Sequence, residues 1–162
     1  MQISKAVITA AGRGGRQYPA SDTVQKAMLP LVDRDGLTKP MLQIIAEEAL
    51  DSGIEEIAVV SAPGDEAHYR QHFRSYAQSL RSAFAGVAWA EEQARRLGEL
   101  EARLRFLVQD EPHGYGHAVW CARGFVGDAP CLLLLSDHLY ISRSSRRCAQ
   151  QRVRSGGQPG SH

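Results

Sequence analysis

The stretch Lys-Ala-Val-Ile-Thr-Ala-Ala-Gly-Arg-Gly-Gly-Arg, residues 5–16, decides the fold. Its apolar part, from Ala6 to Ala10, is short and runs directly into a glycine-rich segment. This pattern is typical of a strand that is buried on both faces and ends in a loop. Strands buried on both faces belong to parallel sheets covered by helices. The stretch therefore predicts the first strand of an α/β domain.

The same alternation of strand and helix continues along the chain. From Lys39 to Ser52 apolar residues recur at helical spacing, and Gly53 stands where the C-terminal cap of a helix belongs. Further strands are predicted at residues 57–60, 104–109 and 131–135, and further helices at residues 65–80, 91–103 and 116–125. Strands that alternate with helices predict an α/β fold with a Rossmann-like, doubly wound, mostly parallel sheet. In such a sheet, ligands bind at the carboxyl ends of the strands.

The helix predicted at residues 91–103 is strongly charged. It carries three pairs of Glu and Arg four residues apart, Glu91 with Arg95, Glu92 with Arg96 and Glu99 with Arg103. Pairs at this spacing stabilise exposed helices. We therefore expect this helix to be solvated and peripheral.

Composition limits the possible partners and the compartment. The chain has 162 residues, which suits one domain, and its 19 Lys and Arg against 18 Asp and Glu give a net charge of +1. This balance gives no reason to bind nucleic acid or a membrane, so neither partner is expected. The three cysteines form no zinc or disulfide pattern, and no signal segment is evident. We expect a cytoplasmic protein.

The end of the chain differs from the rest. The last twenty residues contain five Arg and no acidic residue, and apolar residues nearly vanish after Ser142. A segment without apolar side chains cannot offset the entropy lost on ordering. We expect residues 1–142 to form the folded domain and residues 143–162 to be a disordered basic tail.

The glycine-rich loop after the first strand suits an anion. Gly12, Gly14 and Gly15 allow backbone N–H groups to approach phosphate closely, although a plain tight turn is an alternative interpretation. The third glycine of the dinucleotide-binding fingerprint would fall at Gln17, and no Gly-Lys-Ser/Thr follows. An unrelated dinucleotide-binding domain is therefore disfavoured, and a P-loop does not fit.

Two basic residues accompany this loop. Arg16 ends it, and Lys26 stands in an otherwise uncharged stretch from Thr23 to Val32. Two cations beside a glycine loop would suit a polyphosphate. By residue type alone, a surface lysine on a long loop is the alternative for Lys26.

Taken together, residues 5–32 resemble the signature of the sugar-1-phosphate nucleotidyltransferases. The agreement continues in blocks along residues 3–142, at Lys39-Pro40, Gly53 to Ile57, Gln109 to Val119 and Val126 to Asp128. The resemblance implies transfer of a nucleotidyl group from UTP, or another pyrimidine nucleoside triphosphate, to a sugar 1-phosphate. Glucose 1-phosphate is the expected sugar. Assembly into a homo-oligomer is compatible with the resemblance.

The resemblance also implies site residues. Backbone and side-chain groups would hold the nucleotide at Ala10, Ala11, Gly12, Gly14, Gly15, Gln109 and Gly114. Arg16 and Lys26 would hold the triphosphate as catalytic residues, and Asp137 would bind Mg²⁺. The amide of Gln109 can donate and accept hydrogen bonds at once, which matches the edge of uracil.

The sequence departs from the family at several positions. Gly15 stands where Thr is usual, Ala27 where Glu is usual, and His138 where an acidic residue or Asn is usual. Five inserted residues, 34–38, precede Lys39. These differences indicate a distinct subgroup.

The family continues for well over a hundred residues past the metal carboxylate, where it supplies the rest of the sugar-phosphate site. We therefore expect a truncated fold, with a truncation or a shifted reading frame near residues 143–152. A basic interaction arm is the alternative interpretation of the tail. The corresponding alternative function is a non-catalytic nucleotide-binding remnant.

Overall fold

The computed structural model describes residues 3–12, 14, 19 and 24–156. The predicted site residues Gly15 and Arg16 lie outside this range. The described elements, in chain order, are β1 (Lys5–Thr9), a 3-10 turn (Lys26–Met28), β2 (Pro30–Val32), β3 (Thr38–Pro40), α1 (Met41–Asp51), β4 (Glu56–Ser61), α2 (Asp65–Ala83), α3 (Ala88–Arg103), β5 (Leu104–Val108), α4 (Tyr115–Cys121), α5 (Arg123–Val126), β6 (Cys131–Leu135) and α6 (Cys148–Gly156).

Four of the strands form one parallel sheet in the order β5, β4, β1, β6. β1 pairs with β4 on one side and with β6 on the other, so that Thr9 lies opposite Val60 and Leu135. The strand order reverses between β1 and β6. A reversal of this kind opens a ligand crevice at the carboxyl ends of the two strands. The predicted α/β fold class is confirmed.

Both faces of β1 are buried, which explains its continuous apolar sequence. Ala6 and Ile8 point into the larger core cluster on one face of the sheet. Val7 points to the other face, where it packs with Ala118 and Ala122 near α4 and α5. Because successive side chains of a strand point to opposite faces, a strand between two layers needs apolar residues at every position.

Two helices differ from the prediction. α3 is not peripheral, because one of its faces is buried against the core at Ala90, Ala94, Leu97 and Leu100. On its solvent face Arg95 pairs with Glu92 and Glu99, not with Glu91. The helix predicted at residues 116–125 is divided at Ala122 into α4 and α5. The charged residues correctly indicated an exposed face of α3, but the prediction overlooked the apolar residues on its other face.

Residues 34–37 of the insertion lie in the turn of an antiparallel hairpin, and Thr38 begins its second strand, β3. The hairpin of β2 and β3 brings Lys39 into the interior. The Nζ atom of Lys39 lies 3.0 Å from Oδ2 of Asp33, 2.6 Å from Oδ2 of Asp35 and 2.9 Å from Oε2 of Glu47. The side chains of Lys39 and Glu47 are each only 2% exposed. Burial alone would lower the pKa of Lys39, but the hydrogen bonds to the three carboxylates outweigh it and raise that pKa.

Part of the tail that was expected to be disordered forms a helix, α6, which packs against the core. The side chain of Ala149 is 4% exposed within the core, and its backbone N–H donates to Oε1 of Glu48 at 2.9 Å. Val153, one turn later, packs against the same cluster. An Ala and a Val one turn apart thus give the basic segment an apolar stripe. Residues 157–162 lie outside the description. Within the residues that the structure does describe, no helix is both long and apolar enough to cross a bilayer.

Replacing Lys39 with Met should strongly destabilise the domain. The substitution removes the cation 2.9 Å from the buried Glu47 carboxylate and leaves Arg96 at 3.8 Å, and breaking a buried pair in this way costs about 3–5 kcal/mol. Urea unfolding at neutral pH measures the loss of free energy. Arg95→Met, on the exposed face of α3, is the matched control and should change little. A Lys39→Met variant as stable as the control would contradict the structural role of this cluster.

Replacing Ala149 with Asp should release α6. The new carboxylate would be buried beside Glu48, which now accepts the Ala149 N–H, so repulsion and lost packing act together. Tryptic cleavage at Arg147 and Arg152 should become much faster than in the unchanged chain. Ala85→Asp, in an exposed turn, is the control. Equal cleavage rates with and without the Ala149 substitution would show that α6 is not held by this contact.

Candidate functional site

A cavity of about 570 Å³ opens at the carboxyl ends of β1 and β6, where the strand order reverses. Described residues that line it include seven predicted from the sequence, namely Ala11, Gly12, Gly14, Lys26, Gln109, Gly114 and Asp137. Ala10 does not line the cavity; it is buried directly before Ala11, and its N–H donates to the Val60 carbonyl at 2.7 Å. The structure therefore brings together the predicted residues that it describes. A smaller and more apolar cavity of about 390 Å³ lies between β6 and α6.

Several lining residues were not predicted. They are Thr9, Pro112, Tyr115, Ala118, Leu135, Ser136 and His138. Most adjoin a predicted residue at a strand end or at the start of α4, so sequence proximity was the available signal. Tyr115 is an exposed aromatic side chain directly after Gly114, which adds a flat apolar surface to the rim.

Two glycines of the cavity wall adopt backbone conformations that other residues rarely reach. Gly14 has a φ of 61° and Gly114 a φ of 91°. By contrast, a Cβ added at Gly12 would meet nothing within 4 Å. Gly12 is therefore not required by the packing of the protein itself, and leaves open space where the loop faces the cavity.

Lys26 and Asp137 form an ion pair across the cavity. Lys26 comes from the 3-10 turn and Asp137 follows β6 directly, and Nζ of the lysine donates to Oδ2 of the carboxylate. Their side chains are 27% and 29% exposed, so solvent reaches both. The hydrogen bond from Lys26 lowers the pKa of Asp137, against a smaller opposing effect of burial. The lowered pKa keeps the Asp137 carboxylate ionised at neutral pH, the form that binds cations.

The donor set fits Mg²⁺ held jointly with a ligand. Asp137 provides the one carboxylate among the described lining residues. Across residues 3–12, 14, 19 and 24–156, no three His, Cys, Asp or Glu side chains are grouped to hold a metal ion. Mg²⁺ is commonly bound by one or two carboxylates together with substrate phosphates and water. The site therefore suits a metal that arrives with a phosphorylated ligand.

Gln109 stands at the end of β5, and its side chain is held from within. Its backbone N–H donates to the Ser61 carbonyl at 2.9 Å, and its Nε2 donates to the Gly114 carbonyl at 3.1 Å. Nε2 also lies 3.1 Å from Nδ1 of His117. The expectation that this amide donates to a base and accepts from it at once needs correction, because its donor atom already faces these internal partners.

Comparison with known proteins identifies the family. The family model for nucleotidyl transferases matches residues 5–157. The chain belongs to the nucleotidyl transferase family. It is 40% identical over 140 residues to the UTP–glucose-1-phosphate uridylyltransferase of Bacillus subtilis strain 168, an alignment covering 85% of this chain and 45% of the relative.

Solved structures agree with this family assignment. A UTP-bound UGPase from Acinetobacter baumannii superimposes with a TM-score of 0.73 at 28% identity, covering 94% of this nucleotidyl transferase chain and 53% of that one. A UDP-glucose pyrophosphorylase solved with UDP-glucose gives a TM-score of 0.71 at 26% identity, with the same coverage. The chain thus spans about half the length of the relatives that it matches.

The ion pair in the cavity gives a direct test. Replacing Lys26 with Met removes the hydrogen bond that lowers the pKa of Asp137, so that pKa should rise toward the ordinary value of about 3.9. A carboxyl ¹³C NMR titration measures it. Lys5→Met, at the opposite end of β1, makes the same charge change away from the cavity. An unchanged Asp137 titration in Lys26→Met would mean that the two side chains do not pair in solution.

Proposed function

We propose that residues 3–142 form the nucleotide-binding half of a nucleotidyl transferase that uses UTP and a sugar 1-phosphate, with glucose 1-phosphate as the sugar substrate. The observation that carries the proposal is the convergence of Gln109, Lys26 and Asp137 on one cavity at the reversal of strand order. An amide, a cation and a carboxylate are the three chemistries that a base, a triphosphate and its metal ion require. The names of the relatives in sequence and structure support the choice of UTP.

The base would lie at the β5 side of the cavity. There Gln109 and Gly114 meet Tyr115, whose ring adds apolar surface beside the polar groups. The nucleoside would then extend along the loop that follows β1, where Ala11 and Gly12 line the cavity. Glycine at position 12 lets the ligand approach the backbone closely.

The phosphates would lie at the β6 side. Lys26 would contact their oxygens and neutralise negative charge, and Arg16 would add a second cation from the loop. Asp137 would hold Mg²⁺, which supplies further neutralisation of the phosphate oxygens when it is bound. An oxygen of the sugar 1-phosphate would attack the α-phosphorus, and pyrophosphate would leave. Such a transfer depends on positioning and charge stabilisation, which the lining residues would provide.

A second candidate function is nucleotide binding without transfer. It is favoured by the coverage of the relatives, because a chain that matches 45% of a uridylyltransferase need not hold every group of its sugar-phosphate site. Pyrophosphate release from UTP, glucose 1-phosphate and Mg²⁺ separates the two candidates. Release of pyrophosphate by the 162-residue chain would support transfer, whereas UTP binding without that release would support binding alone. Rapid synthesis of UDP-glucose would reject the binding-only candidate.

Replacing Gln109 with Ala should weaken uridine nucleotides selectively. Loss of the amide removes a hydrogen bond in a buried setting, which costs about 1–3 kcal/mol, while pyrophosphate binding through Lys26 should stay nearly the same. Calorimetric titrations with UTP and with pyrophosphate measure both effects. Gln71→Ala, on the exposed face of α2, is the matched control.

The two ligands make the outcomes distinct. Equal losses for UTP and pyrophosphate would show that Gln109 supports the fold rather than the base. Unchanged UTP affinity would remove Gln109 from the site. Failure of the unsubstituted chain to bind UTP at all would overturn the proposed function.

A further inference from the structure

We propose that His117 is a positioning residue that orients the Gln109 amide and so selects the class of nucleobase. The pair would favour bases with a ring N–H on their pairing edge, such as uracil, over cytosine, which has a bare ring nitrogen there. This inference rests on the proposed function, because it assigns the base selectivity of the same site.

The Gly114 carbonyl is the first of two groups that hold the amide of Gln109. Nε2 of Gln109 lies 3.1 Å from that oxygen, at hydrogen-bonding distance. A flipped amide would place Oε1 there instead, with two acceptors facing each other. The positive φ of Gly114 belongs to the turn that leads the chain from β5 into α4. The position of a backbone carbonyl, that of Gly114, therefore helps to set the orientation of the Gln109 side chain.

His117 is the second group near the Gln109 amide, and its tautomer determines whether the other N–H on Nε2 has an acceptor. Its Nδ1 lies 3.1 Å from Nε2 of Gln109 and 3.0 Å from the Glu111 carbonyl. A neutral imidazole nitrogen either donates or accepts. The Glu111 carbonyl already accepts the His113 backbone N–H at 2.8 Å, so it does not depend on His117.

Nδ1 of His117 can donate to the Glu111 carbonyl or accept from Gln109, and each choice leaves one conflict. If Nδ1 carried the hydrogen, it would face an amide N–H at 3.1 Å. If Nδ1 is bare, it accepts that N–H but faces the Glu111 carbonyl oxygen at 3.0 Å, and the hydrogen on Nε2 of His117 points toward the Cys121 sulfur, a weak acceptor 4.0 Å away. The first conflict costs more, because Gln109 is buried, whereas Glu111 is an exposed residue whose carbonyl already accepts from His113. This difference favours the tautomer in which His117 accepts from Gln109.

With both amide hydrogens engaged, the Gln109 side chain offers the cavity an acceptor alone. Gln109 is 5% exposed and lines the cavity, and no donor among the described residues contacts its Oε1. An acceptor complements the N3–H of uracil or thymine and opposes the bare N3 of cytosine. Mismatched polar groups are costly where water is largely excluded, so this small set of contacts can discriminate between bases.

The test compares UTP and CTP. In His117→Ala the donor side of the Gln109 amide is held by the Gly114 carbonyl alone, so the amide can rotate and present an N–H to the cavity. The ratio of CTP to UTP dissociation constants should then fall by about tenfold. His117→Asn keeps an amide oxygen near the position of Nδ1 and should restore most of the ratio. His68→Ala, an exposed histidine on α2, is the control and should leave the ratio unchanged. If His117→Ala weakens UTP and CTP equally, His117 only supports the fold, and the proposal is overturned.

A second measurement needs no nucleotide. Imidazole ¹⁵N NMR on the full chain should show His117 with hydrogen on Nε2 and a bare Nδ1, and Gln109→Leu should abolish that preference. A hydrogen on Nδ1 in the unsubstituted chain would overturn the positioning role. If the chain binds neither UTP nor CTP, the proposed function fails, and the tautomer still decides whether His117 holds Gln109.

Discussion

The pairing of β1 between β4 and β6 is the constraint on which the rest of the structure depends. Parallel pairing brings the carboxyl ends of all three strands to one edge, so the chain leaves β1 beside the point where it leaves β6. The backbone continues this pairing one residue further, because the Ser136 N–H donates to the Thr9 carbonyl at 3.2 Å. Asp137 is therefore placed opposite the glycine loop by backbone hydrogen bonds, before any side chain contributes.

Local sequence predicted the strands well because each carries an unambiguous apolar run. It predicted β6 at the residues where it occurs and β1 within one residue. It failed for α6, where an Ala and a Val among arginines are too few to reveal burial without knowledge of Glu48, about a hundred residues earlier. The environment of Lys39 was equally hidden, since three carboxylates from a turn and a helix converge on it only in the folded chain.

The site was predictable to the extent that strand ends determine it. Motif residues that follow β1, β5 and β6 were expected together and lie together. What sequence could not supply is how these groups bond to one another in the folded chain. The capture of the Gln109 amide by Gly114 depends on a backbone turn, and the meeting of Lys26 with Asp137 joins residues 111 positions apart. Residue type determines which hydrogen bonds and charge interactions a side chain can make. The fold determines which of them are already made within the protein and which are left for a ligand.

The ion pair shows what this means for a charged ligand. Lys26 and Asp137 neutralise each other, so the cavity contains no strong uncompensated charge from this pair. Phosphate alone would draw Lys26 away and leave the Asp137 carboxylate facing the added negative charge. A metal ion alone would take the carboxylate and leave the lysine beside a second cation. When a metal ion and a phosphate bind together, Lys26 can pair with the phosphate and Asp137 with the metal ion. Neither side chain is then left without an opposite charge. If the proposed function holds, this ion pair would couple binding of the metal to binding of the nucleotide.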